Sequence, residues 1–364
     1  HTRFRNVTGV QTCALPIYAA GISVLNTTEC LGLAPRNGVI AVTTRDRNAP
    51  TQPPGVLLAR QVILATGFDG AGAWRIPAAI QQAVAAERID HACSRIDFTR
   101  LAGKRVGILG HGASAFDNAC VALEHGAASV DVCYRRETIP TINPHRRLEF
   151  AGFLKHFPEL DDRTRWQTNH FFETYDQPPT QNAWDRAHAN RNFRSHSGCP
   201  WVSIRDDGRQ VFVTTPKGGF AFDHILCATG AVVDYDARPE LQTLGPLVKR
   251  WHHAYRPAPD EASDTLGDYP YLGPTFEYLP LDSERDGWVS RVRAFNFSSV
   301  VSMGPHTTSA SGHKYAIPRL VSGITRALML EQAHELLPAL HAYDEIELRP
   351  VVPDAAPARL NVTA

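Results

Sequence analysis

Lys104 to Arg136, KRVGILGHGASAFDNACVALEHGAASVDVCYRR, decides how the rest of the chain is read. Val106 to Leu109 is a short apolar run suited to a buried parallel strand, and Gly110-His111-Gly112-Ala113-Ser114-Ala115 follows it at once as G-x-G-x-x-A. Ala113, Ala115, Ala119, Ala122 and Leu123 then recur at helical spacing, Gly126 supplies a stop, and Ser129 to Tyr134 alternates like a second strand. Each small residue in the turn has a use. Gly110 permits the tight turn, Gly112 lets backbone approach a pyrophosphate, and Ala115 lets the helix pack close to the strand. The free N–H groups and positive dipole at the helix start, at Ala113 and Ser114, favour phosphate charge. Glycine-rich turns also arise for packing alone. It is the order of strand, turn, helix and strand that points to a dinucleotide.

The second strand ends at Arg135-Arg136, where an NAD-binding unit usually carries an acid for the ribose hydroxyl. Two guanidinium groups suit a 2′-phosphate, which they grip with charge-assisted bonds, so the expected nucleotide is NADP. The plainer alternative is a solvated strand end. Asp131 lies too early in the strand to take the acid's place.

Composition sets outer bounds. At 364 residues the chain has room for two or three domains. Lys plus Arg and Asp plus Glu balance at 37 each, so no net field favours nucleic acid or an anionic membrane surface. No apolar run is long enough to span a bilayer. Seven cysteines without any C-x-x-C fit a reducing, cytoplasmic compartment and argue against a dithiol–disulfide reductase. Neither a metal-ligand spacing such as H-E-x-x-H nor a Ser/His/Asp constellation stands out, so no catalytic residue is named.

Residues 1–17, with Val7-Thr8-Gly9-Val10-Gln11-Thr12-Cys13-Ala14-Leu15-Pro16-Ile17, resemble the translation of a sequencing-library adapter rather than a signal peptide, which implies a gene cut just upstream. From Tyr18 onward, Val39 to Thr43 and Val56 to Ala59 read as paired strands, and Gln61-Val62-Ile63-Leu64-Ala65-Thr66-Gly67 as an apolar strand ending in Ala-Thr-Gly. The order recurs later. Val211 to Thr214, a Gly218-Gly219 turn and Phe220 to Phe222 lead into His224-Ile225-Leu226-Cys227-Ala228-Thr229-Gly230. Such an echo suggests two copies of one domain type.

With its G-x-G-x-S-A-x-D turn (Gly110, Gly112, Ser114, Ala115, Asp117) set between Ala65-Thr66-Gly67 and Ala228-Thr229-Gly230, the chain resembles the class B flavin monooxygenases from about Val39 to its C-terminal helix. The resemblance implies an α/β fold of two Rossmann-like domains, in which an FAD domain is interrupted by an NADP domain. Residues 18–77 would be a partial FAD domain, 78–227 the NADP domain with an aromatic-rich helical insertion at about 141–201, and 228–364 the rest of the FAD domain. The family's N-terminal strand, G-x-G-x-x-G and helix for the FAD pyrophosphate have no counterpart in the sequence, in keeping with the adapter reading.

The same resemblance implies that NADPH reduces FAD and that a C4a-(hydro)peroxyflavin formed with O2 oxygenates a small organic substrate, with the protein orienting groups and excluding water. Two alternatives stay open: a flavin reductase or oxidase without oxygen insertion, and a truncated non-enzymatic fragment that binds NADP alone. His91 and Ser94 stand where the family has an H-x-x-S element, but Ala85, Glu87 and Arg95 depart from its fuller fingerprint, and a lone histidine is commonly structural. Thr66, Gly67, Thr229 and Gly230 are expected near the cofactors as the domain hinges. Gly304 and Ser309, in the small-residue loop Gly304 to Gly312, are expected near the flavin, or else in a plain Ser/Thr-rich connection. The loop is read between a strand over Arg293 to Met303 and a helix over Ala316 to Glu331. Trp251 to Pro280 reads as loop and edge structure. The aromatic stretch Thr141 to Trp201 is either a subdomain with its own small core or a lid over the pocket. Asn143, Arg146 and Arg147 are candidates to add to the phosphate grip.

Overall fold

A computed structural model describes residues 20–348, so the adapter-like segment lies outside the described residues. Three antiparallel strands come first: β1 (Thr28–Arg36), β2 (Val39–Asp46) and β3 (Gly55–Ala59). Asn37 and Gly38 turn the chain between the first two at φ of 48° and 79°, the left-handed pair that suits a tight hairpin. β4 (Val62–Leu64) and β5 (Gly72–Trp74) follow. Next come β6 (Ile89–His91), β7 (Arg105–Leu109), β8 (Ser129–Cys133) and β9 (Phe193–His196). The remaining strands are β10 (Ser203–Asp206), β11 (Val211–Thr215), β12 (Gly218–Phe222), β13 (His224–Cys227), β14 (Ala231–Val233) and β15 (Val292–Ala294).

The centre is a five-stranded parallel sheet in the order β6-β13-β7-β8-β9. Its middle strands are covered on both faces, which is why VGIL, SVDVC and HILC read as almost unbroken apolar runs. Helix Ala113–Glu124 lies on one face, where Ala115, Phe116, Ala119 and Ala122 meet Val106, Ile108, Val130 and Val132. The opposite face is covered by Val211, Val213, Phe222 and helix residue Ile80. The helix stops at Gly126, whose φ of 86° a residue with Cβ rarely adopts.

The echo seen in the sequence is structural. A three-stranded antiparallel sheet, β1-β2-β3, precedes β4, and another, β10-β11-β12, precedes β13. The glycines at 218 and 219 belong to β12 itself, and Pro216 and Lys217 make the turn. β4 pairs in parallel with β15, beside a core formed by Leu33, Ile40, Leu64, Val292 and Leu320. The two crossings between the halves lie side by side, because β5 and β14 pair antiparallel through Gly72↔Val233, Ala73↔Val232 and Trp74↔Ala231. Val56, Leu57, Leu58 and Ile63 leave one flank of the outer half apolar and exposed, as do Ile317, Val321, Met329 and Leu330 of helix Ala310–Glu331.

Four sequence expectations are corrected. Arg293 to Met303 is a strand only as far as Ala294, after which a 3-10 turn and a short helix, Val300–Met303, take over. Short apolar runs do not distinguish a buried helix turn from a strand. The long helix starts at Ala310, not Ala316, and carries Pro318 inside it. The aromatic stretch 141–201 is not one subdomain with a core of its own. Trp184, His188 and Phe193 pack on Phe116 of the turn helix, and β9 joins the central sheet. Trp166 packs instead on Trp251 and Tyr255, while Arg165 lies over Trp251 and Tyr271. Those partners also show that Trp251–Pro280, read as loop and edge, contributes Trp251, Leu266 and Tyr269 to a buried core shared with Trp166, Val300 and Val301. Among the described residues no helix is long and apolar enough to cross a membrane.

Gly107, in the middle of β7, shows how tight the sheet is, since a Cβ there would lie 2.5 Å from the ring of Phe222, which is itself fully buried. Gly107→Ala is therefore expected to cost about 1–3 kcal/mol by overpacking. A urea titration of both proteins checks this, and an unchanged midpoint would contradict the packing described.

Candidate functional site

A cavity of about 610 Å³ opens at the C-terminal ends of β7, β8 and β13, where parallel α/β sheets commonly bind ligands. Gly110, His111, Gly112, Ala113 and Ser114 form one wall, Arg135 a second, and Thr229 with Gly230 a third. Ala115 is fully buried beneath, where the helix meets the sheet. Arg136 borders an adjoining cavity of about 740 Å³, which Arg135 also lines.

The two glycines of the turn are needed for different reasons. Gly110 has a φ of 134°, and a Cβ on it would fall 2.4 Å from the carbonyl oxygen of Ala228, so only glycine lets the ends of β7 and β13 lie this close. At Gly112 a Cβ would meet nothing within 4 Å. Packing within the chain does not require that second glycine; a ligand approaching the backbone would. Gly112 is also the helix N-cap, with no side chain capping the first turn and no acid in it, so the leading N–H groups are left to another partner.

His111, between the glycines, lies 3.2 Å from Asp176 Oδ2 without the alignment of a hydrogen bond. Burial would raise the Asp176 carboxyl, but His111, the Gln177 N–H and Arg136 together hold it below the usual carboxylate range. Asp176 caps helix Asp162–Tyr175 at a φ of 65° and a ψ of 179°, a conformation comfortable only for glycine. Arg135 is exposed. Arg136 donates to the carbonyl of Thr174, and its Nε is buried without a partner. Asp131 is buried and paired with His196 Nε2 at 2.8 Å, so it is committed inside the sheet.

His91 sits at the end of β6 with only 3 % exposure and lines the cavity. Its Nδ1 accepts from the Cys93 N–H at 3.1 Å, its ring stacks on Trp74 at 5.1 Å, and Trp74 stacks in turn on Phe68. Burial pushes its pKa down, only partly offset by the Gly230 carbonyl, so the neutral imidazole is favoured. Ser94 donates to the His91 carbonyl at 2.7 Å, a local turn contact.

The other candidates are engaged elsewhere. Thr66 donates to the Gly70 carbonyl and accepts from Asn296 Nδ2, both at 3.1 Å, and Gly67, at a φ of 85°, accepts from the Phe297 N–H at 3.3 Å. Gly304, at a φ of 111°, faces the Phe157 ring. Ser309 caps helix Ala310–Glu331, accepting from the Gly312 N–H at 3.1 Å. Thr66, Gly67, Gly304 and Ser309 border neither cavity. Nor do Asn143, Arg146 and Arg147; Asn143 caps its own short turn. The sequence reading missed Asp176, Phe68 and Arg75, which the fold brings into the wall from the helical segment and the first crossing.

No protein-family model matches the chain. It is 40% identical over 291 residues to the FAD-dependent urate hydroxylase of Xanthomonas campestris pv. campestris, an alignment covering 80% of this chain and 62% of that protein. The chain thus spans about three-fifths of the length of this relative. Among solved structures, the ornithine N-hydroxylase of Kutzneria sp. 744, solved with reduced FAD, NADP+ and L-ornithine, superposes with a TM-score of 0.57 at 13% identity, over 82% of this chain and 72% of that one. The ornithine hydroxylase of Pseudomonas aeruginosa also gives 0.57, at 12% identity, over 85% and 73%. The chain therefore shares the two-domain, Rossmann-like α/β fold of these flavoproteins.

The contrast between the two glycines gives a test. Gly112→Ala is expected to keep the melting temperature of the parent and weaken binding of a pyrophosphate nucleotide about tenfold or more, by calorimetric titration. Gly110→Ala is expected to lower the melting temperature as well. Unchanged nucleotide binding in Gly112→Ala would remove the ligand-approach reading of that glycine.

Proposed function

We propose that this chain is the greater part of an FAD- and NADPH-dependent hydroxylase that uses O2 to oxygenate a small organic molecule, with urate or a similar planar nitrogen heterocycle as the first substrate to try. The observation that carries the reading is the 40% identity to a urate hydroxylase over 80% of the chain, in a sequence whose glycine turn opens onto a cavity.

The residues fit a dinucleotide. Gly112 leaves room for phosphate against backbone N–H groups, and Ala113 and Ser114 begin an uncapped helix with no acid in its first turn. Arg135 and Arg136 stand at the end of β8, where a ribose lies on this fold, and favour a 2′-phosphate over a free hydroxyl. The domain assignment follows, with 78–227 holding NADPH and the flanking segments 18–77 and 228–364 belonging to the FAD half. FAD enters from the relative rather than from a cavity, because Thr66, Gly67, Gly304 and Ser309 are engaged in local contacts. Bound flavin would supply hydride acceptance and oxygen activation. The chain's own work is to bind and orient NADPH with the turn and the arginines, and to wall the cavity with the Phe68 and His91 rings, which Trp74 backs by stacking.

The direct experiment is a visible absorption spectrum of the purified protein with FAD, taken before and after anaerobic NADPH and again after O2 and urate. Bleaching by NADPH and urate-dependent NADPH consumption are expected. Bleaching followed by peroxide release whatever the substrate would replace the hydroxylase with an oxidase or reductase. For the nucleotide, replacing Arg135 and Arg136 together with Ala is expected to raise the NADPH Michaelis constant about tenfold, a loss of about 1.4 kcal/mol, while that for NADH changes little. Equal losses for both nucleotides would sink the 2′-phosphate assignment.

A further inference from the structure

Arg75 lies in the first crossing, far in sequence from the glycine turn, yet it lines both the main cavity and the adjoining one of about 740 Å³. Arg135 lines both as well, and Arg136 joins them in the second. Three guanidinium groups from two separate segments thus face one polar space. Two carboxylates, Glu173 and Asp264, also border it, together with His170. Among the described residues none of the three arginines lies within ion-pair distance of a carboxylate.

Resting on the reading of this chain as an NADPH enzyme, we propose that Arg75 completes an anion site in the second cavity that takes the ribose 2′-phosphate. Arg136 alone is poorly placed for a two-pronged grip. It already donates to the Thr174 carbonyl, and the rest of its fork is partly buried. Arg135 is exposed on the strand end and carries the rotamer freedom of a surface side chain. Arg75 is exposed too, but it starts from a fixed backbone, since its N–H donates to the Gly230 carbonyl at 2.8 Å and its carbonyl accepts from the Thr229 hydroxyl. Those two contacts hold the Cα of Arg75 against the end of β13, so its side chain starts toward the two cavities it lines from a fixed point. A phosphate monoester dianion would neutralise charge from two sides of the space, while a ribose hydroxyl would bring no charge to pair with the three cations. Arg75 is on this account a specificity-determining residue.

The probes are 2′,5′-ADP and 5′-AMP, which differ by the 2′-phosphate, titrated calorimetrically into the parent protein, Arg75→Ala, Arg75→Lys and the Arg135→Ala/Arg136→Ala pair. Arg75→Ala is expected to weaken 2′,5′-ADP about tenfold and leave 5′-AMP within about twofold, and Arg75→Lys is expected to recover part of the loss. Equal weakening of both probes, or none in Arg75→Ala, would overturn the proposal. If the double variant loses 2′,5′-ADP and Arg75→Ala does not, only the role of Arg75 falls. If neither loses it, the NADPH reading falls with it. A loss of urate binding in Arg75→Ala with 2′,5′-ADP untouched would give the cavity to the substrate and also overturn the proposal.

Discussion

The close approach of Gly110 to the carbonyl of Ala228 is the constraint on which the site depends. Two neighbouring parallel strands, β7 and β13, end side by side there, with no room for a Cβ between them. From the end of β7 the chain turns into the helix that covers the sheet. From the end of β13 it leaves as the second crossing, through Thr229 and Gly230. The glycine turn and the route between the two halves therefore share one cavity, because the pairing of β7 with β13 brings them together and Gly110 leaves room for it.

Electrostatics in that cavity are mixed. Arg75 and Arg135 bring positive charge, and the uncapped helix start adds its partial charge. Asp176 brings a carboxylate held ionised beside His111. A negative group near a phosphate site opposes anion binding unless the neighbouring cations outweigh it. Here the acid fastens the helical segment to the turn at a strained backbone position, so the contact serves the arrangement of the wall more than its charge.

Much of the central sheet was legible because its signals are local. β7, the turn and β8 announce themselves by apolar runs and spaced glycines, and the repeated strand pattern before Thr66-Gly67 and Thr229-Gly230 survives as two similar sheets. β1, whose Pro35 and Gly32 break the alternation, and β9, reading FRSH, carry no such mark; their place is set by partners. The aromatic stretch was visible as composition, yet composition does not say which surface a ring will bury against, and Trp166 and Trp184 go to different cores. In the site, the turn residues, Arg135, Thr229 and Gly230 were legible from pattern, and all but the buried Ala115 border the cavity. Asp176 was not, because it meets His111 only through the return of a helix, and nothing near it in sequence signals that meeting.

The paired crossings carry a mechanical consequence. Two independent linkers would let the halves swing and twist freely, whereas β5 and β14 form one hydrogen-bonded ribbon. A ribbon bends easily across its flat face and resists shear in its plane, because shear would break the pairing of Ala73 with Val232. Relative motion of the halves is thereby narrowed to something close to a single bending coordinate, and Arg75, at the end of that ribbon, travels along it.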